Sequence, residues 1–415
     1  MHVWMLQTGE SWPLDRGTRL LRTGLLCESM LQRGHTITWW TSSFEHQSKR
    51  MRAEGGEWTD HRGIRIVALP ALGYSQNISV RRYLDHRMVA REFRRAAPAY
   101  PPPDLVLASV PCHHLAAAGA AYARYRGIPC AVDLRDLWPD VFGHRLPVWL
   151  ARIALAGEFH VLGRALRSAD ALLGISPGYV SLAVRRSRRA RRRYDRHFYL
   201  GAAPIGAAAA LPEPLAAHLS RWSGRKLLVY AGSFGRSYEI LLVAEAARRL
   251  ATRRSDFALV FAGAGDQGAE LKHALRDHPA AVEAGWLGAE QLASLLRRAY
   301  VGLAPFRAGA PQSVPNKVFD YFAAGVPVVS SLEGEMRVLL ESGVLGTSYR
   351  PGDCADLMRT LDFVLDRPSL RDDWAKNATR FFAAEGSSER IYPDYCRHLE
   401  ELVASSRAPA AGGPA

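Results

Sequence analysis

Between Gln312 and Gly325 the chain reads QSVPNKVFDYFAAG, and its residue types suit a ligand carrying both phosphate and hydroxyl groups. A polar loop, PQSVPNK, runs directly into an apolar helical pattern. A helix N-terminus presents free N–H groups and a positive dipole end to anions. Lys317 adds a cation in the first turn, and Asp320, one turn on, can accept hydrogen bonds from hydroxyls. Ala323, Ala324 and Gly325 allow close packing, and the β-branched run VPVVSS of Val326 to Ser331 follows as a strand. Phosphate and hydroxyls together suggest a nucleotide or a nucleotide-sugar.

Three further loops have the same kind of chemistry. After VYA comes Gly232-Ser233-Phe234-Gly235-Arg236. Glycines there let backbone N–H groups approach a pyrophosphate, and Arg236 can clamp phosphate oxygens in bidentate fashion. After VFA comes Gly263-Ala264-Gly265-Asp266, which reads equally as a ligand contact or a plain tight turn. Asp133-Leu134-Arg135-Asp136 ends the run IPCAV and leads into Leu137-Trp138-Pro139. A charged triplet at a strand end can bind an acceptor or a pyrophosphate, or form a structural Asp–Arg pair.

The elements that must position these loops form two βα series. VWML, HTITWWTS, GIRIVAL, DLVLAS, IPCAVDL and ADALLGIS are strand candidates in the first, with an amphipathic helix over Leu20 to Gln32. Residues 148–167 read as one amphipathic helix. KLLVYA, FALVFA, VEAG, AYVGLAPF and VPVVSS belong to the second, with a helix near Gln267 to Arg276. The Ala- and Pro-rich stretch 201–222 is the expected linker, and Leu357 to Phe382 and Ile391 to Val403 are expected helices. In open α/β sheets ligands bind beyond the C-terminal strand ends, which is where all four loops lie. The expected organisation is residues 1–205 and 206–390 as two Rossmann-like domains, with 404–415 as a disordered tail.

With 415 residues and 48% apolar composition, the chain can bury two full cores. No apolar run approaches the roughly 18–20 residues of a membrane span, and the start MHVWMLQTGESW has neither a basic n-region nor a sustained apolar h-region. Five scattered cysteines without Cys-x-x-Cys or His/Cys zinc spacing fit a reducing cytosol. Residues 1–200 hold 30 of the 54 Lys+Arg but 16 of the 40 Asp+Glu, so the whole net charge of +14 lies there. Eight arginines fall within Arg185 to Arg196, a run that suits anionic lipid or an anionic acceptor, or a solvated loop. Nucleic acid is not expected, since no aromatic-interleaved platform accompanies them.

The Gln312–Ser331 segment resembles the donor-binding segment of glycosyltransferase family 4, whose usual pattern is Glu-x7-Glu, a short apolar helix, Ala-Ala-Gly and an apolar strand. Here the helix and AAGVPVV match, while the two acids read Gln312 and Asp320. The Ser-Val-Pro-Asn-Lys form (Ser313, Asn316, Lys317) and the Asp-Leu-Arg-Asp-Leu-Trp-Pro loop are similar to the branch that builds bacterial surface polysaccharides. The resemblance covers nearly the whole chain and is sharpest over residues 227–331. It implies the GT-B fold, two Rossmann-like domains facing a central cleft, with a C-terminal helix near 391–403 crossing back to the first. It also implies a retaining hexosyl- or N-acetylhexosaminyltransferase acting on a UDP- or GDP-sugar.

By that resemblance Asp320 holds the ribose hydroxyls and Gln312 contacts the donor sugar, while Ser233 and Arg236 meet the diphosphate. Gly285-Trp286-Leu287-Gly288 corresponds to the segment whose backbone pairs with the nucleobase. Leu14-Asp15-Arg16-Gly17 resembles the N-terminal Gly loop, Gly17 approaching the phosphates. Many members carry a His near Ala108 to Pro111, and His113 and His114 follow that stretch here. They also carry a Lys several residues after the Arg; none occurs here, so Lys317 is expected to supply that cation. Asp-x-Asp, which holds a divalent cation in metal-dependent glycosyltransferases, is absent from the sequence, so no catalytic metal and no other cofactor is expected. The acceptor is expected to be lipid-linked or a saccharide at the cytoplasmic membrane face. Two other readings stay open: a soluble natural-product acceptor, or a nucleotide-sugar-binding protein without catalysis.

Overall fold

The computed structural model describes residues 1–10, 12, 20–46, 48–52, 54–76, 79–139 and 148–407. The chain divides into two compact units, residues 1–199 with 392–415, and residues 200–391. The division thus falls after Tyr199, a few residues before the expected boundary.

The first unit opens with β1 (His2–Leu6), α1 (Arg22–Gln32), β2 (Thr36–Ser42), β3 (Phe44–Glu45), β4 (Arg50–Met51), β5 (Gly56–Thr59) and β6 (Arg65–Leu69). It continues through α2 (Val80–Ala96), β7 (Leu105–Val110), α3 (His113–Arg126), β8 (Cys130–Leu134), α4 (Val148–Ala154) and α5 (Ala156–Ser168). β9 (Ala171–Gly174), α6 (Pro177–Ser187) and β10 (Arg196–His197) close the series. The sheet runs β10-β9-β8-β7-β1-β2-β6-β5, parallel except for the antiparallel edge strand β5. The central strands are continuous apolar runs because helices cover both faces. Ser79 and Ser176 cap α2 and α6 by accepting from Arg82 N and Tyr179 N. The stretch expected to form one helix over 148–167 is two. Its backbone leaves helical geometry at the buried Leu155 (φ −103°, ψ 4°), just before Gly157.

The second unit holds α7 (Glu213–Arg221), β11 (Lys226–Ala231), α8 (Ile240–Leu250), β12 (Phe257–Ala262), α9 (Gly268–Ala274), β13 (Ala281–Gly285) and α10 (Ala289–Leu296). Then come β14 (Ala299–Ala304), α11 (Asn316–Ala323), β15 (Val328–Ser330), α12 (Glu335–Gly343), β16 (Gly346–Ser348), α13 (Cys354–Leu365) and α14 (Pro368–Phe381). Its six strands are all parallel in the order β13-β12-β11-β14-β15-β16. This is the doubly wound order, with its switch point between β11 and β14. The expected linker 201–222 contains α7, started by Pro at its first turn and anchored by the buried Leu215.

The last helix, α15 (Ser388–Arg407), carries the chain back to the first unit. There Tyr395 stacks on Phe198 (centroids 4.3 Å, 6°), and Glu400 accepts from Arg33 and His35 at 2.6–2.8 Å. The helix runs past Val403 to Arg407, which pairs with Asp104, so residues 404–407 are ordered, contrary to the expected tail. The rest of that tail lies outside the described residues.

Candidate functional site

The second unit's switch point is built by α11 and the loops after β11 and β14. Tyr321 locks α11 to the sheet. Its phenol donates to Leu303 O (3.1 Å) and accepts from Ala231 N (2.8 Å), and its ring lies where a Cβ at Gly302 would sit. Lys317, one turn earlier, is thereby aimed at the end of β11. The loops are stitched together by Arg307 N donating to Ser237 O, Glu239 N to Pro305 O, and a Tyr238–Phe306 bridge.

The Lys317 side chain is buried, the residue being 8% exposed. Its Nζ stands 4.0 Å from the ring centroids of Tyr230 and of Tyr238 and 5.8 Å from that of Phe306. A Cβ at Gly232 would come within 3.1 Å of Lys317 Cε and Nζ, and the positive φ of +135° there favours glycine. Nζ has no hydrogen-bond partner among the described residues. Burial lowers its pKa well below the ordinary lysine value, with no charged neighbour contributing. Gln312 Oε1, in the loop before the helix, is a second buried polar atom without a hydrogen-bond partner among the described residues. Asn316 is exposed on the first residue of α11, Asp320 is half-buried one turn on, and Ser313 is buried and donates to Glu335.

Ser233 and Arg236 are exposed on the loop after β11, and Arg236 makes no ion pair among the described residues. Gly263 has a different place. Its N–H donates to Gly285 O (2.8 Å), and a Cβ there would lie 1.8 Å from Gly232 O. That N–H is thus already engaged within the sheet-end loops. The residue lets the β12 loop lie directly against Gly232. Trp286 is 75% exposed beyond β13, while Leu287 is buried.

A family profile described as "Glycosyl transferases group 1" matches residues 225–367, and one described as "Glycosyl transferase 4-like domain" matches residues 21–195. The chain belongs to the group 1, family 4-like glycosyltransferases. No curated protein matches its sequence. Among solved structures it resembles a sucrose-phosphate synthase from Thermosynechococcus elongatus (TM-score 0.69, 16% identity, 97% of this chain and 99% of that one covered). It also resembles a trehalose 6-phosphate synthase from Burkholderia multivorans (0.71, 13%, 100% and 99%). A third is the Anabaena protein HepE in complex with UDP (0.67, 13%, 96% and 99%). These likenesses give the glycosyltransferase its fold, GT-B, and at such identities nothing finer.

The glycosyltransferase's first-unit candidates form a closed network. Asp133 is fully buried, and both its oxygens accept from Arg22 (2.8 and 3.1 Å), with Arg135 Nε also 2.8 Å away. Arg135 reaches on to Glu10 (2.5 Å) and Thr23 Oγ1 (2.6 Å), and Arg22 also donates to Phe198 O (2.7 Å). Burial opposes ionisation of Asp133, but the two guanidiniums outweigh it and hold its pKa at about 2. Asp136 is different: burial raises its pKa, and its carboxylate accepts from Leu137 N (2.8 Å). His113 and His114 both place Nε2 2.7 Å from Glu158 Oε2, and Arg87 holds Oε1 at 2.5 Å. These donor atoms lie within 4.8 Å of one another, a possible metal set, but three donors already satisfy the carboxylate and the guanidinium disfavours a cation beside it. Gly17 and its loop lie outside the described residues.

Sequence reading missed the rings around Lys317 and the partners Arg22, Glu10 and Glu158. The rings left a signal: Tyr230 and Tyr238 flank the glycine loop after β11, and Phe306 follows the end of β14.

Proposed function

We propose that the protein transfers a sugar from a nucleotide diphosphate donor to an acceptor with retention, in assembly of a bacterial surface polysaccharide. The observation carrying the donor part is the buried, partnerless Lys317 amine at the switch point, beside the loop that bears Arg236. A buried amine without an acceptor is costly to leave unpaired, and a diphosphate would complete it. HepE, of the same fold, binds UDP, which favours a uridine donor here.

In this reading Lys317, Arg236 and the first turn of α11 stabilise the charge that grows on the diphosphate as the glycosidic bond loosens. Ser233, Ser313 and Asn316 line the phosphate end, and Asp320 takes the ribose hydroxyls. Trp286 and Leu287 flank the base. Gln312 Oε1 accepts from a sugar hydroxyl. As a neutral amide Gln312 cannot act as a carboxylate nucleophile, which fits retention without a covalent intermediate. Asp133 positions Arg135 rather than touching substrate, since its oxygens are spent. Metal independence rests on the missing Asp-x-Asp and on these cations.

The acceptor is proposed to be lipid-linked. Support comes from the charge excess of residues 1–200 and from Arg185, Arg188, Arg191 and Arg193, which are exposed, whereas Arg189 pairs with Asp195 at 2.8 Å. Among the described residues no helix is long and apolar enough to cross a membrane. A thermal-shift screen of UDP-, GDP- and dTDP-sugars, followed by nucleotide release with EDTA present, tests the donor reading. One base class should stabilise the protein by about 2.7 kcal/mol at 100-fold excess over Kd, and release should persist with chelator. No shift from any nucleotide-sugar would overturn it; release that stops with EDTA and returns with magnesium would overturn metal independence.

A further inference from the structure

We infer that Lys317 rests in the empty site as a neutral amine and gains a proton from solvent as the donor diphosphate binds, so that donor binding is proton-coupled. The inference deepens the donor-site reading above and rests on it.

The geometry argues for a neutral resting state in three ways. The amine is 8% exposed and has no acceptor among the described residues, so an ammonium there would lose its hydration without compensation. The faces of Tyr230 and Tyr238 at 4.0 Å attract a cation, but ring faces return less than the desolvation takes. Lys317 also lies in the first turn of α11, where the helix dipole repels positive charge.

Among the described residues no carboxylate hydrogen-bonds the amine. The groups facing the amine from β11 and its loop are the Tyr230 and Tyr238 phenols, both pushed up by burial and therefore neutral. Phe306, after β14, is apolar. Arg236 and Glu239 lie on the loop, Arg307 beyond Phe306 and Asp320 on the helix itself, and burial is what lowers the pKa of the amine. Phosphate oxygens arriving at Nζ would supply the missing anion. The amine then takes one proton and donates it in a charge-assisted hydrogen bond, with no other bond made or broken.

The sign follows. Binding raises the pKa of the amine, so a proton is taken up wherever the pH lies between its empty-site and bound values, and affinity falls as pH rises through that window. The test is titration calorimetry of UDP at about pH 8.5, in buffers of different ionisation enthalpy. Phosphate, with a second pKa of about 6, is then fully ionised and contributes no proton change of its own. Wild type should take up close to one proton per UDP bound. Lys317→Met should take up none and bind about ten- to hundredfold more weakly. Heats independent of buffer, with affinity still lost in Lys317→Met, would overturn the inference while leaving the donor site standing. Unchanged UDP affinity in Lys317→Met would instead overturn the donor-site reading itself.

Discussion

The two units bury polar groups in opposite ways. In the first, every buried ion described above has its partner: Asp133 with Arg22 and Arg135, Arg135 with Glu10, and Glu158 with Arg87 and two histidines. In the second, the Lys317 amine and the Gln312 carbonyl are buried with no hydrogen-bond partner among the described residues. A closed network stabilises architecture, whereas an open one leaves its cost standing until a ligand arrives. Burial of charged residues at strand ends is thus a poor guide to function until their partners are counted.

The largest effect should come from opening a closed network. Arg22→Ala leaves the Asp133 carboxylate buried against Arg135 alone and removes the bonds to Phe198 O and Tyr199 O. It should cost about 3–5 kcal/mol, read by denaturant unfolding; a loss under 1 kcal/mol would break the contrast. The same network sets an acid limit. Asp133, ordinarily near 3.8, is held at about 2, so its contribution is complete above pH 4 and lost as pH falls toward 2.

A smaller effect sharpens the contrast at the surface of the first unit. Exposed arginines near anionic lipid contribute about 1 kcal/mol each, screened over a Debye length of about 8–10 Å. Replacing Arg185, Arg188, Arg191 and Arg193 by Gln should weaken co-sedimentation with anionic vesicles, while Arg189, tied to Asp195, should matter through stability instead. No binding to anionic or neutral vesicles would favour a soluble acceptor and leave the second unit's site untouched.

Much of this was legible in the sequence because it is local. The alternation of βα elements follows from apolar runs and turn residues, and the loop-to-helix step at Pro315–Lys317 is readable from its residue types alone. What stayed hidden depends on residues far apart in the chain. Tyr230, Tyr238 and Phe306 meet Lys317 only because β11 and β14 are neighbours at the switch point. Asp133 meets Arg22 across 111 positions, so its spent oxygens could not be read from the charged triplet. Gly263 read equally as a ligand contact or a tight turn, and its closeness to the backbone of Gly232 could not be seen in the sequence.

The central claim, that the partnerless lysine marks the donor site, is tested most directly by melting Lys317→Met with and without UDP. Methionine replaces the buried amine with an apolar chain of similar length, so the free variant should melt at or above the wild-type temperature. UDP, which should raise the wild-type Tm, should raise the variant's little or not at all. A free variant that melts several degrees lower yet keeps the full UDP-induced rise would show Lys317 to be structural and contradict the account.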